Sequence, residues 1–323
     1  MDSRHVLRMS DPCDDVAVIV VVGEALVDLV IDPAGRVVAT LGGAPFNTAR
    51  VCGRLGAEVA YAGALSNDRF GTLLVAQLEA DRVSLDLVQR TELPTTLAAA
   101  ELDAHGAATY RFYVEGTSAP SFTARHRALN AADVLFTGGL ALVLEPLAVT
   151  VENTIAAASP KSIVVVDLNC RPHIVSDRER YIERIERVLT RADIVKASDE
   201  DLAYIAPESA PRDTARALLN RGPRAVLATA GGAGVEVHTA GGVAVVPVAD
   251  VAVVDTIGAG DSFSGGFLAW WVGGGRSRGE LGALDTVVPA VEAAITVAGV
   301  VCTRRGADPP WRHDLPESWS SPS

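Results

Sequence analysis

A glycine-rich turn that decides the fold occupies residues 255–261 and reads Asp255-Thr256-Ile257-Gly258-Ala259-Gly260-Asp261. It follows the strand-like residues 251–254 and opens an apolar helix that the pattern predicts over residues 262–272. Glycines allow successive backbone N–H groups to point at one spot, and the positive end of the helix dipole favours an anion there. The turn therefore predicts an anion site that suits a phosphate group.

Asp261 is unusual at such a site because a carboxylate beside an anion repels it. The arrangement makes chemical sense if Asp261 accepts a proton from the group that attacks the phosphate, which is the role of a general base. The alternative is structural, since Asp is a common N-cap residue at the start of a helix. The turn alone leaves both interpretations open.

A second glycine-rich segment also leads into a predicted helix and reads Leu41-Gly42-Gly43-Ala44-Pro45-Phe46-Asn47. Its two glycines permit close approach of the backbone to a ligand. Asn47 both donates and accepts hydrogen bonds, which suits a sugar hydroxyl better than a phosphate. The alternative is a proline at a helix start followed by a structural asparagine.

Short valine-rich runs alternate with longer runs rich in alanine and leucine through most of the chain, which predicts an α/β fold with a doubly covered parallel sheet. The predicted strands cover residues 16–22, 59–64, 134–137, 163–167, 194–196 and 225–229. The predicted helices cover residues 45–55, 70–80, 146–157, 178–190, 214–221, 259–272 and 287–301.

Two regions, 25–40 and 95–115, break this alternation because each has strand propensity interrupted by a glycine turn. We expect both to be hairpins that form a small lid over the carboxyl ends of the parallel strands, where such sheets bind ligands. We expect a single domain over residues 16–312, with a disordered leader at 1–15 and a C-terminal tail at 313–323.

Composition excludes several classes of partner. The 323 residues include 28 Lys plus Arg and 40 Asp plus Glu, and the net charge of −12 repels nucleic acid and anionic membranes. The four cysteines form no CxxC pair, which indicates a reducing compartment, and we expect a cytoplasmic protein. The two lysines are not preceded by glycine, so no Walker A loop is present.

Together, the two glycine-rich segments resemble the signatures of the PfkB, or ribokinase-like, carbohydrate kinase family, and the resemblance runs over residues 18–310. It is greatest to fructokinases, through residues 23–28, 42–45, 167–172 and 302–307. The resemblance implies a ribokinase-like doubly wound sheet with a small β lid. It also implies transfer of a phosphoryl group from ATP to a primary hydroxyl of a sugar, with fructose the expected substrate.

The resemblance assigns roles to particular residues. Asp261 would deprotonate the sugar hydroxyl, and the amides of Gly258, Ala259 and Gly260 would neutralise charge on the transferred group. The substrate-binding set would be Asp28, Gly42, Gly43, Asn47, Asn169 and Arg171. Arg171 suits a phosphate, and its alternative is a surface salt bridge.

A third segment, Thr229 to Gly234, resembles the nucleotide-binding turn of the family, although a plain β-hairpin turn has the same pattern. The implied nucleotide set is Ser198, Thr229, Gly231, Gly234 and Gly260. Mg²⁺ is implied with ATP, near Ser198 and Asp201, where helix capping is the alternative. A potassium-type cation is implied near Asp255.

Other functions remain open on sequence grounds. A kinase of the same family could act on 2-keto-3-deoxygluconate or on a nucleoside, and a non-catalytic protein of this fold could sense a sugar or nucleotide. Isolated lid hairpins would be marginally stable, so we also expect two lids to pair across a homodimer.

Overall fold

A mainly parallel β-sheet forms the centre of the computed structural model, which describes residues 17–103, 108–123 and 127–320. The strands of the protein are β1 (Ile19–Val22), β2 (Leu26–Ile31), β3 (Val37–Gly42), β4 (Val59–Ala62), β5 (Ala64–Ser66), β6 (Gln89–Thr91), β7 (Leu97–Leu102), β8 (Ala108–Tyr113), β9 (Val134–Gly138), β10 (Ile163–Asp167), β11 (Ile194–Ser198), β12 (Ala225–Thr229), β13 (Val235–Thr239) and β14 (Gly242–Val246). The helices are α1 (Ala44–Arg54), α2 (Arg69–Ala80), α3 (Arg127–Asn130), α4 (Leu147–Ala157), α5 (Arg178–Leu189), α6 (Asp199–Ile205), α7 (Pro211–Leu219), α8 (Ala259–Gly273) and α9 (Leu284–Cys302).

The central sheet has the strand order β14-β13-β12-β11-β10-β9-β1-β4. Neighbours from β12 through to β4 are parallel, whereas β13 and β14 extend the sheet as antiparallel strands. Because successive side chains of a strand point to opposite faces, each strand feeds two cores. Val21 packs in the core that α1, α2, α8 and α9 cover, and Val20 packs in the core that α4, α5, α6 and α7 cover. The predicted α/β fold with helices on both faces is therefore confirmed.

The two predicted hairpins form one small sheet of order β3-β2-β7-β8. Asp32 stabilises the first turn, since its carboxylate accepts from the backbone N–H groups of Ala34 and Arg36. The turn expected within the second hairpin, at His105 and Gly106, lies outside the described residues. The sequence did not predict that β2 and β7 would pair in parallel and thereby join the hairpins.

The prediction of a strand over residues 251–254 is wrong. This stretch contains no strand, and the side chains of Val253 and Val254 are mostly exposed. The backbone N–H of Val254 bonds to the carbonyl of Cys302 at the end of α9, so this segment pairs with a helix terminus and has no neighbouring strand to form a ladder. Valine-rich composition alone did not reveal that a partner strand is missing.

Helix α6 was not predicted. It begins at a capping box in which the Ser198 side chain accepts from the N–H of Asp201, and the Asp201 side chain accepts from the N–H of Ser198. The other predicted helices and strands are present, with ends shifted by a few residues. Residues 59–64 form two short strands, β4 and β5. Part of the predicted first strand, residue 16, lies outside the described residues, as do the expected leader at 1–15 and residues 321–323 of the tail.

Helix α8 is packed closely on two sides. A Cβ atom added at Gly265 would lie 2.5 Å from Val51 Cβ on α1, and one added at Gly266 would lie 2.9 Å from Val297 Cγ2 on α9. Side chains at these positions would therefore push the three helices apart. Further along α8, Trp270 and Trp271 are buried in the same core.

By length and composition, α9 is the one helix in the described part of the chain that could cross a membrane. It packs along α8, and its side chains at Val287, Val291 and Val297 are fully buried in the core. A core helix of an α/β protein has the same apolar composition.

Candidate active site

Polar side chains gather where the central parallel strands end. Asp167, the last residue of β10, stands in register with Gly138 of β9 and with Lys196 of β11. Ser198 at the end of β11 stands opposite Thr229 at the end of β12. Carboxyl ends of parallel strands meet at one edge of a sheet, and ligands of α/β proteins bind there.

The N-terminus of α8 presents open amides at this edge. Gly258 is the N-cap and has a φ of 78°, and a Cβ atom at this position would lie 2.6 Å from Ala307 Cβ. Both facts require glycine. The amide of Ala259 donates to the carbonyl of Thr256 at 3.2 Å. Within the described ranges, the amides of Gly258 and Gly260 have no acceptor, which leaves them able to bind an anion.

Asp261 lies in the first turn of α8 and is half-buried. Its Oδ2 atom accepts a hydrogen bond of 2.9 Å from Nδ2 of Asn47, so the two glycine-rich segments meet directly. The Oδ1 atom accepts no hydrogen bond from the described residues. Burial raises the pKa of Asp261 to about 6, although the hydrogen bond from Asn47 opposes this shift. Asp261 can therefore exchange a proton near neutral pH.

Asp28 of β2 lies against the first glycine segment. A Cβ atom added at Gly42 would lie 2.2 Å from Asp28 Oδ2, so a larger residue there would displace this carboxylate from its position. Burial raises the pKa of Asp28 to about 6, and the positive charge of Arg171 opposes this shift. The positive charge of the exposed Arg171 also lowers the pKa of Asp261, so this guanidinium acts electrostatically on both carboxylates.

Asn169 and Arg171 leave the end of β10 in the loop that faces this cleft. Asn169 has a φ of 37°, a left-handed conformation that asparagine tolerates better than most residues. Its Nδ2 atom lies 3.6 Å from the position of a Cβ atom added at Gly139, which places it beside the loop after β9. The guanidinium of Arg171 donates to the carbonyls of Asn169 and Cys170 and forms no ion pair with the described residues.

Sequence reasoning gave no role to Glu24, which the structure places in the site. This side chain is 2% exposed, and its Oε2 accepts a 3.0 Å hydrogen bond from the amide of Ala141, in the loop after β9. Burial raises the pKa of Glu24 to about 8, so the carboxyl group is protonated at neutral pH. Its position between the first strand and Asp28 was the sequence feature that could have pointed to Glu24, but nothing in the sequence indicated that this side chain is buried.

The sequence assigned no role to Lys196, which was noted only because it is not preceded by glycine and so cannot belong to a Walker A loop. Its Nζ atom donates to Asp167 Oδ2 at 2.7 Å, and Ser264 Oγ on α8 is 3.3 Å from the same oxygen. Burial lowers the pKa of Lys196, but the charges of Asp167, Asp201 and Asp261 outweigh it and leave the pKa above its ordinary value. A permanent cation thus lies below the amides of α8.

The segment expected to bind nucleotide forms the connection between the antiparallel strands β12 and β13. It is closed by its own hydrogen bonds, from the N–H of Ala230 to the carbonyl of Gly234 and from the N–H of Ala233 to the carbonyl of Ala230. Atoms added as Cβ at Gly231 and Gly232 would contact nothing within 4 Å, so the turn presents bare backbone to the outside. The hairpin alternative is correct as geometry, and a nucleotide role is compatible with it.

The residues expected to bind metals are occupied by structural hydrogen bonds. Asp201 accepts the N–H of Ser198 at Oδ2 and the N–H of Cys170 at Oδ1, and Asp255 accepts the N–H groups of Ile257 and Gly306. In the described part of the chain, no group of three or more His, Cys, Asp or Glu side chains could hold a metal ion. Asp201 therefore caps a helix. Its role as a metal ligand stays a prediction, because the described residues form no metal site around it.

Comparisons with known proteins show the family and the fold of the chain. Residues 17–314 match the pfkB family of carbohydrate kinases. A fructokinase from Rhizobium leguminosarum bv. trifolii is 34% identical over 76% of this chain and 77% of its own length. A fructokinase from Klebsiella pneumoniae is 32% identical over 92% of this chain and 98% of its own length. The crystal structure of a fructokinase with bound ATP from Xylella fastidiosa superposes with a TM-score of 0.83 at 27% identity, covering 90% of this chain and 93% of that one.

Glu24 generates a prediction about stability. Its pKa rises from 4.5 in the unfolded chain to about 8 in the folded protein, so folding favours the protonated form. Its contribution is complete below pH 4.5 and is lost as the pH rises through 8. Glu24→Gln is neutral at every pH, so we expect this variant to lack that loss. The free energy of unfolding of the wild type should fall relative to the variant by up to about 1.4 kcal/mol per pH unit.

Denaturant unfolding of the wild type, Glu24→Gln and the exposed control Glu58→Gln between pH 4.5 and 8 measures this effect. The wild type and the control should lose stability in parallel as the pH rises, while Glu24→Gln stays closer to constant. Parallel curves for all three proteins would show that Glu24 is ionised in the folded state.

Proposed function

The chain belongs to the pfkB family of carbohydrate kinases, and we propose that it is a fructokinase that transfers the γ-phosphoryl group of ATP to a primary hydroxyl of fructose. It is a phosphotransferase that acts on a sugar hydroxyl. The observation that carries the proposal is the position of Asp261, which is held by Asn47 beside the unpaired amides of α8.

The reaction needs a base, an aligned acceptor and neutralisation of charge on the phosphoryl group. The sugar oxygen forms a bond to the γ-phosphorus as its proton passes to Asp261. The bond between the γ-phosphorus and the bridging oxygen breaks, and its electron pair leaves with ADP. Asp261 Oδ1 receives the proton, because Oδ2 already accepts from Asn47.

Groups that carry positive charge or N–H donors stabilise the negative charge on the phosphoryl group. The amides of Gly258 and Gly260 face the phosphoryl group, and the amide of Ala259 contributes less because Thr256 already accepts from it. Arg171 faces the same cleft and is free of ion pairs with the described residues, so it stabilises phosphate charge.

Two further sets of residues bind the substrates. Fructose hydroxyls form hydrogen bonds with Asp28 and Asn47. The backbone at Gly42 and Gly43 lets the sugar approach closely, and Asn169 borders the sugar from the loop after β10. The nucleotide lies along Ser198, Thr229, Gly231 and Gly234, which follow β11 and β12. The ATP in the similar Xylella fastidiosa fructokinase supports this choice of phosphoryl donor.

Mg²⁺ enters with ATP in this proposal, because the described residues offer no cage of protein ligands. When bound, it neutralises charge on the phosphates. A potassium-type cation would lie near the loops that Asp255 joins by its hydrogen bonds to Ile257 and Gly306. The unpaired thiols of Cys52 and Cys170 support a reducing, cytoplasmic location.

A panel of acceptors tests the proposed function. With ATP and Mg²⁺, we expect a coupled assay of ADP release to give a higher kcat/KM for fructose than for 2-keto-3-deoxygluconate or adenosine. A ranking led by either of these acceptors would replace fructose as the substrate. Binding of sugars without any ADP release would favour the sensor alternative.

The variant Asp261→Asn belongs to the same experiment. Loss of a general base should lower kcat by a factor of about 10² to 10⁴ while sugar and ATP binding persist. Asp285→Asn is the matched control, since Asp285 is an exposed acid in the first turn of α9. Full activity of Asp261→Asn would remove the catalytic assignment.

The pH dependence follows from the pKa of Asp261. A base must be deprotonated, so kcat/KM should rise with pH through about 6 and then level. Because the hydrogen bond from Asn47 lowers this pKa, Asn47→Ala should move the acid limb to higher pH. Asn153→Ala, an exposed asparagine on α4, is the control. If Asn47→Ala leaves the acid limb of the kcat/KM profile unchanged, that limb reports the titration of another group, such as Asp28.

A homodimer through the lids is part of the proposal. The lid sheet ends in the edge strands β3 and β8, and Val37, Val38, Tyr110 and Tyr113 on these strands are more than half exposed. Exposed apolar side chains on open strand edges favour pairing with a second copy.

Sedimentation measures the assembly directly. We expect a dimer for the wild type and a shift toward monomer for Val38→Lys, which places a charge on the proposed contact. The control is Val245→Lys, an equally exposed valine on β14, the edge strand of the central sheet. A wild-type monomer at assay concentration, or equal effects of the two variants, would contradict pairing through the lids.

A further inference from the structure

Lys196 is a buried cation at the reacting edge of the sheet. The sequence contains two lysines, and the other one, Lys161, is exposed. Lys196 is 7% exposed and stands on β11 in the middle of the parallel strands. Lysine is rarely buried, because removing its charge from water is costly unless other groups compensate.

Asp167 provides that compensation but uses only part of the ammonium group. An ammonium carries three N–H donors, and Asp167 Oδ2 is its one acceptor among the described residues. Two donors therefore have no partner in the part of the chain that the structure describes. A strongly hydrated group with unused donors is suited to an anionic ligand that supplies further oxygens.

The ammonium lies next to the amides that the proposed mechanism uses. A Cβ atom added at Gly260 would lie 3.3 Å from Lys196 Nζ, so the ammonium lies against the backbone of Gly260, whose N–H has no acceptor among the described residues. The charge of Lys196 also acts on Asp261, the proposed base. The Lys196 ammonium on β11 therefore lies close to the Gly260 amide and the Asp261 carboxylate in the first turn of α8.

The ion pair is also fixed to the same helix. Ser264 of α8 lies 3.3 Å from Asp167 Oδ2, the oxygen that accepts from Lys196. Buried ion pairs contribute little net stability compared with apolar residues of equal volume. Stability alone therefore does not account for a buried Lys–Asp pair at this position.

We propose that Lys196 is a catalytic residue that donates hydrogen bonds to the γ-phosphoryl oxygens during transfer, and that Asp167 is the residue that positions it. The inference rests on the proposed kinase function and deepens it. Lys196 keeps its proton throughout; the sugar proton goes to Asp261, and Lys196 neutralises charge that the phosphoryl group and the departing ADP carry in the transition state.

Affinity for ATP and ADP, measured by calorimetry in the presence of Mg²⁺, tests the contact without any sugar. Lys196→Met should weaken ATP binding about 10-fold relative to ADP binding, because a charge-assisted hydrogen bond to the γ-phosphate is lost. Lys161→Met, the matched control, should match the wild type. An unchanged ratio of ATP to ADP affinity in Lys196→Met would overturn the proposal.

Turnover gives the second measurement. Lys196→Met should lower kcat with fructose about 10² to 10³-fold with little change in the KM for fructose, the loss expected when one donor to the transition state is removed. Lys196→Arg keeps the charge and should recover part of the rate. Wild-type turnover by Lys196→Met would contradict a catalytic role.

A double variant separates this role from a structural one, since Lys196→Met alone leaves the buried Asp167 without its opposite charge. Lys196→Met combined with Asp167→Asn removes both charges and should recover thermal stability while kcat stays low. Recovery of kcat together with stability would make the pair purely structural. If the wild type phosphorylates no sugar in the panel, the proposed function fails, and the ATP and ADP affinities still decide the role of Lys196.

Discussion

The close contact between α1 and α8 is the constraint on which the site depends. At Gly265 the two helices approach so closely that an added Cβ atom would lie 2.5 Å from Val51 Cβ and 3.0 Å from the carbonyl oxygen of Thr48. This contact brings together segments that are 214 positions apart and lets Asn47 donate to Asp261. Because Gly266 gives α9 a similar approach from the other side, α8 cannot shift toward either neighbour. Its N-terminus, and every group attached to it, is thereby fixed with respect to the cleft.

A chain with a net charge of −12 binds a polyanion here by local means. Burial raises the pKa values of Glu24, Asp28 and Asp261, and Glu24 is neutral near pH 7. Neutral carboxyl groups repel phosphate less than ionised ones. In the proposed site, the amides at the start of α8 would supply N–H donors, and Arg171 and Lys196 would supply the positive charge. Short-range arrangement therefore decides binding where the overall charge of the protein opposes it.

The sequence predicted the parts of the structure whose signals are local. Strand β10 has its predicted bounds because a short apolar run ends at a polar cluster, and α8 begins at the glycines that its N-cap geometry requires. The roles of Glu24 and Lys196 could not be read from the sequence, because each depends on burial against residues distant in the chain, such as Ala141 and Asp167. The false strand at residues 251–254 has the same origin. Strand propensity is local, whereas the presence of a neighbouring strand is not.

Reaction type and substrate choice depend on different parts of this fold. The proposed base and the proposed anion site belong to α8, which is packed between α1 and α9 and has little freedom to change. The lid is a separate four-stranded sheet with two open edges, and side chains on its outer strands are exposed. Leu26 of β2 and Ala98 of β7 join the lid to the body by sharing a small apolar cluster with Leu140 and Leu144, and Phe112 and Val114 pack against this cluster. Substitutions in the lid can therefore reshape the space around the sugar without moving Asp261. In the proposed function, the two glycine-rich segments would therefore set the kinase chemistry, whereas the choice of sugar would depend on a surface that those segments do not include.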